Sequence, residues 1–211
     1  MPQYSIQFRS AMTGPRASRA DECCDPRYSR GGWKIVTLAL AVVLAFWAGG
    51  VSAGKDSPGK LELRSTAFHP GSTIPTQYTC SGANISPALS WTQPPPGTQS
   101  FVLIMDDPDA PGRTWVHWVV YNLPHSARQL PERVSPGEAV AGGGEQGVND
   151  FPLLGYGGPC PPPGKPHRYF FRLYALDTIL AVHSSPRRKE VDAAMKGHIL
   201  AQAELMGMFG R

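Results

Sequence analysis

With 41% hydrophobic and 17% charged residues in 211, the chain has enough apolar material to pack one ordinary domain, which excludes an intrinsically disordered protein. Its 23 glycines and 22 prolines follow no collagen-like period, so they predict many turns, stiff loops and few long helices. The formal charge of +4 is modest, and no basic stripe interleaved with aromatics runs through the body of the chain, so no nucleic-acid partner is expected.

Residues 1–53 read as an N-terminal extension and export signal. Arg27, Arg30 and Lys34 precede an uncharged apolar run from Ile35 to Ala48, and the small residues of Val51-Ser52-Ala53 follow. That order is what export needs: the cationic end stays in the cytoplasm while a short apolar helix enters the translocon. Cleavage after Ala53 is expected, with a periplasmic or secreted product. The alternative is an uncleaved inner-membrane anchor over residues 35–51, which is short against the roughly 20 residues that span a bilayer. Residues 1–26 are polar and hold Cys23 and Cys24, unusual ahead of such a signal, so a start at Met12 or beyond is also open.

Residues 54–60 form a polar linker, and the domain occupies 61–211. Leu61-Glu62-Leu63-Arg64 alternates like a half-buried strand. Ser100 to Met105 is apolar on both faces and predicts a central strand buried on two sides. Thr114 to Tyr121 and Arg168 to Leu176 are rich in aromatic and β-branched residues behind Pro or Gly punctuation; with the first they predict the sheet core. Three proline loops intervene, at 94–97, 107–111 and 159–164, each stiffened by fixed φ angles. Val191, Met195, Ile199 and Ala203 stand at helical spacing and predict one C-terminal helix over about 189–206.

The domain keeps Cys80 and Cys160. In an exported protein they either bridge or remain two buried thiols; a bridge would stabilise by roughly 4 to 5 kcal/mol through the loop it closes.

Three segments have chemistry to offer. In Asp107-Pro108-Asp109-Ala110-Pro111 two acids follow a buried strand, either presenting a carboxylate at the sheet rim or capping their own backbone as Asx-turns. In the next strand, period-2 alternation puts Trp115, His117 and Val119 on one face and Val116, Trp118 and Val120 on the other. A buried imidazole needs a hydrogen-bond partner, and the short connection lets Asp107 fold back towards His117. Alternatively, His117 is a satisfied core histidine. His167 and Tyr169 share a face at the start of a later strand; His167 as a surface loop residue is the plain alternative. Two imidazoles and a phenol together would suit a small oxyanion.

These residues carry a family resemblance. The 107–111 turn, Trp115 to Pro124, and Gly155 to Gly164 closing on His167-Arg168-Tyr169 resemble the signature regions of the phosphatidylethanolamine-binding (Raf-kinase-inhibitor-like) family. Ser86-Pro87 with Trp91, Asn149-Asp150-Phe151 and Gly197 to Leu205 resemble its bacterial branch. The resemblance implies a mainly β fold: a large central sheet packed with a smaller sheet, and a C-terminal helix. It also implies a pocket for a small anion or phosphorylated head group, lined by Asp107, Ala110, Pro111, Trp115, His117, Cys160, His167 and Tyr169. In that pocket Asp107 accepts from an imidazole, His117 and His167 donate to the anion, and Tyr169 closes one wall. Cys160 stands where animal members place a glycine, so its side chain or a bridge trims the cavity.

Other functions fall behind. Gly142 to Gly147 fits a dinucleotide fingerprint on paper but lacks the flanking strand and helix. No nucleophile elbow or zinc motif is present, and neither a metal nor a cofactor is expected. A metal-independent hydrolase using Asp107, His117 and His167 is the rival in class, and a regulator or inhibitor that docks a protein partner is the third. Membrane contact is expected only through the signal segment, if uncleaved.

Overall fold

The computed structural model describes residues 60–211; the export-signal reading over 1–53 and most of the linker lie outside the described residues. Eight strands and one α-helix follow in chain order: β1 (Leu63–Ser65), β2 (Leu89–Trp91), β3 (Ser100–Asp107), β4 (Trp115–Pro124), β5 (Gln129–Leu130), β6 (Glu145–Gln146), β7 (His167–Leu176), α1 (Arg188–Met195) and β8 (Ile199–Phe209). They form two antiparallel sheets, ordered β1-β2-β5 and β6-β4-β3-β7-β8.

The apolar run of β3 takes the centre of the larger sheet, and all eight of its residues are buried. Its odd-numbered side chains, Phe101, Leu103 and Met105, meet Leu63, Leu89 and Trp91 of the smaller sheet in the main core. Its even-numbered ones, Val102 and Ile104, pack under Val191 and Met195 of α1. A strand sandwiched in this way must be apolar on both faces, as the sequence predicts. Among the described residues the fold is therefore mainly β, two sheets and one α-helix.

Two expectations are corrected. The C-terminal helix stops at Met195, because Gly197 adopts φ +86° and the chain turns into β8. A spacing of four is also a multiple of two, so Val191-Met195-Ile199-Ala203 fits a strand as well as a helix. Beyond Gly197 the pattern is period 2, with Ala203, Leu205 and Phe209 buried and Ile199 exposed at 45%.

The alternation expected for β4 also breaks. Met105 pairs with Trp118 and Asp106 with Val116, which leaves His117 as an extra residue in a β-bulge. Trp118 and Val120 consequently face the main core, whereas Val119 turns to the helix side with Val116 and Tyr121.

Candidate functional site

The pleat of β3 sends its last two residues to opposite faces. Asp106 faces the helix, where Arg172 and Arg188 both donate to its carboxylate. Asp107 faces the inter-sheet side and is 3% exposed. Its Oδ1 accepts the Asp109 N–H at 2.8 Å, so the Asx-turn reading of this loop holds. Its Oδ2 accepts from the His167 Nδ1 at 2.7 Å. The imidazole that Asp107 holds is thus His167, across the sheet, and not His117.

Asp109 fixes that arrangement. It accepts from the Arg168 backbone N–H at 2.9 Å and from its guanidinium at 2.9 and 2.7 Å, pinning the start of β7 beside the turn. The Arg168 hydrogen bond holds the Asp109 carboxyl well below the usual range, at about 2. His167, one residue earlier, is placed against Asp107.

His117 is 2% exposed and its Nδ1 lies 2.6 Å from the Gly157 carbonyl. A carbonyl only accepts, so Nδ1 bears the proton; burial pushes the imidazole pKa down, and the neutral ring keeps its lone pair on Nε2. Its Nδ1–H is thus committed to the Gly157 carbonyl, which leaves Nε2 to meet a ligand. The Gly157 N–H returns a bond to the His117 carbonyl at 2.9 Å. Only glycine fits there, since a Cβ on Gly157 would stand 2.5 Å from a ring carbon of Phe151.

Tyr169 is fully buried, and its ring meets His117 edge-on at 5.2 Å between centroids. Its hydroxyl lies beside the Asp107 carboxylate but makes no hydrogen bond of ordinary length among the described residues; burial first, then the Asp107 charge and its weak pull as an acceptor, push the phenol well up, so the proton stays on. The Trp115 Nε1–H likewise has no partner among the described residues. Trp115 and His117 both pack edge-on against Phe151, at 5.5 and 5.3 Å.

The structure thus gathers Asp107, Trp115, His117, His167 and Tyr169. Ala110 is half-buried and Pro111 exposed in the turn that follows Asp107. Cys160 is exposed and bridged to Cys80, with Cα atoms 5.4 Å apart; the Cys80 N–H also bonds the Pro159 carbonyl at 3.1 Å. The bridge ties the 157–160 segment to Tyr78–Cys80, and the two-thiol alternative is set aside. Sequence reasoning missed Phe151, Gly157 and Asn149 as site residues. Asn149 accepts the Phe151 N–H at 2.9 Å and donates to the Gly155 carbonyl at 2.9 Å, which shapes the loop that receives His117. The signal for Asn149 and Phe151 was the Asn149-Asp150-Phe151 motif itself, and that for Gly157 the Gly155 to Gly164 segment.

Comparisons with known proteins identify the family. The family model described as Phosphatidylethanolamine-binding protein matches residues 64–210. A UPF0098 protein of Methanothermobacter thermautotrophicus is 48% identical over 151 residues, covering 72% of this chain and 99% of the relative. One from Aquifex aeolicus is 49% identical over 153 residues, covering 72% and 89%. Among solved structures, a putative phosphatidylethanolamine-binding protein homolog from Chlamydia trachomatis aligns with TM-score 0.65 at 40% identity over 72% of this chain and 98% of the other. E. coli YBCL, described as a new member of the mammalian PEBP family, aligns with TM-score 0.66 at 34% identity over 72% and 99%. The chain belongs to the phosphatidylethanolamine-binding protein family.

Proposed function

We propose that the chain is an exported binding protein for a small oxyanion or phosphorylated head group, held between Asp107, His167, Tyr169 and His117. The observation that carries this reading is the buried Tyr169 hydroxyl, which bears a proton beside the Asp107 carboxylate and makes no hydrogen bond of ordinary length among the described residues. A buried donor left unpaired costs about 1 to 3 kcal/mol, and a ligand oxygen removes that cost. Trp115 offers a second donor of the same kind. Asp107 can hold a proton-bearing His167, which then donates through Nε2.

Neutral His117 contributes an acceptor at Nε2. A site with donors and one acceptor suits an oxyanion that keeps a proton, such as a phosphate monoester monoanion, better than sulfate. The order of basic, apolar and small residues over 27–53 supports action outside the cytoplasm. The Asp107–His167 pair also has the form of a general base held by its carboxylate, which favours hydrolysis of a bound ester as the second reading.

Thermal stabilisation tests the first reading. Phosphate or phosphoethanolamine should raise Tm as the logarithm of concentration, and His167→Ala should abolish the part of the rise due to this site. Turnover of a chromogenic phosphate or carboxylic ester, lost in the same variant, would favour the hydrolase instead.

A further inference from the structure

An anion drawn out of water towards the buried Tyr169 hydroxyl needs a positive charge to meet it, since a buried charge without a counter-charge is costly. The acids around the inter-sheet site do not leave one over. Asp109 is matched by Arg168 and Asp150 by Arg113. The Asp107–His167 pair carries no net charge when His167 bears its proton, and a negative one when it does not. Tyr169 and Trp115 offer neutral donors only.

Arg211 supplies what is missing. It follows two positions after Phe209, which is buried in the main core and pairs with His167 across β7 and β8. The alternation of β8 therefore aims Arg211 towards the face that bears His167 and Tyr169. The 161–166 loop fastens this end of the chain. The Gly164 N–H bonds the Arg211 carbonyl at 3.1 Å, and Gly210 lies so close to Pro166 that a Cβ there would stand 3.0 Å from its ring. The Arg211 Nε–H donates to the Pro161 carbonyl at 2.7 Å, next to the bridged Cys160, which orients the guanidinium and leaves both terminal amino groups free. Arg211 has no acidic side chain as partner among the described residues. Burial and the Asp107 charge push the Tyr169 phenol up while the Arg211 charge pulls it the other way, so the guanidinium stands within range of that hydroxyl.

We infer that Arg211 is a further ligand-binding residue of the inter-sheet site, meeting the oxyanion with its free amino groups and supplying the positive charge the site otherwise lacks; this rests on the oxyanion reading of that site. One surplus charge beside a neutral Asp107–His167 pair matches a singly charged oxyanion, and the His117 Nε2 lone pair receives the proton such an anion keeps.

The test is a titration of the full chain with inorganic phosphate at neutral pH and constant ionic strength, by calorimetry and by the 15N signals of the histidine rings and of the Arg211 Nε–H. In the unmutated chain the Arg211 and histidine signals should move along one saturation curve. Arg211→Gln keeps a donor for the Pro161 carbonyl but no charge; it should bind phosphate about tenfold more weakly or worse, with the ligand-free Tm unchanged. Arg211→Lys should recover part of the loss, and Lys165→Gln, which removes an exposed charge of the same loop, should bind as the unmutated chain does. Unchanged affinity in Arg211→Gln, or an equal loss in Lys165→Gln, overturns the role of Arg211 while the site stands. A fall in ligand-free Tm with Arg211→Gln that accompanies the lost affinity, with no recovery in the Lys variant, makes Arg211 a brace for the loop and also overturns it. Histidine signals of the unmutated chain that ignore phosphate overturn the oxyanion site itself, and this inference with it.

Discussion

His167 and Asp107 join ends of different strands, sixty positions apart, through one hydrogen bond of 2.7 Å. The other carboxylate oxygen accepts the Asp109 N–H, so both oxygens of Asp107 are engaged. Asp107→Asn keeps the shape and removes the charge that makes His167 a good donor. Phosphate affinity at the inter-sheet site should fall about tenfold or more, as for loss of one charge-assisted hydrogen bond, and calorimetric titration measures it.

The pH dependence of stability follows from His117. Its imidazole pKa is lowered in the folded chain by burial, while in the unfolded chain it stays near 6.5. Below that pH the unfolded state takes a proton that the folded state refuses, so stability is full above about 6.5 and is lost as pH falls from there towards the depressed folded value. Urea unfolding at a series of pH values should show this slope, and His117→Gln should flatten it while lowering stability throughout.

The Cys80–Cys160 bridge closes a separation of 80 residues. Loop-closure entropy predicts that Cys80→Ser/Cys160→Ser loses roughly 4 to 5 kcal/mol. For a domain of this size that is a Tm drop of about 10 to 15 °C by calorimetry, and a reductant should reproduce it in the unmutated chain.

Gly157→Ala should cost about 1 to 3 kcal/mol, because the added methyl enters the Phe151 ring and something must shift. The same shift disturbs the carbonyl that fixes the His117 tautomer. The variant should therefore lose ligand-induced stabilisation as well as stability, which a thermal series with and without phosphate reads in one experiment.

Much of the fold was legible because its central strands announce themselves in composition. A strand buried on both faces, as Ser100 to Met105 is, has no polar alternation to confuse with a helix. The C-terminal strand was misread because an apolar step of four satisfies both periods; only the positive φ at Gly197, which sequence does not display, separates α1 from β8. The family motifs placed Asp107, His117, His167 and Tyr169 in one site. Their pairing was not legible: Asp107 meets His167 across β3 and β7, and a single extra residue at His117 resets the alternation of β4. Local pattern rules see neither cross-strand partners nor bulges.

The ring nitrogens of His117 and His167 report on the proposed ligand most directly. With 15N-histidine labelling, phosphate added at neutral pH should shift both rings while sulfate shifts them far less, and Tyr169→Phe should weaken the effect. Histidine signals that stay unmoved across the whole phosphate titration would contradict a ligand held between these residues.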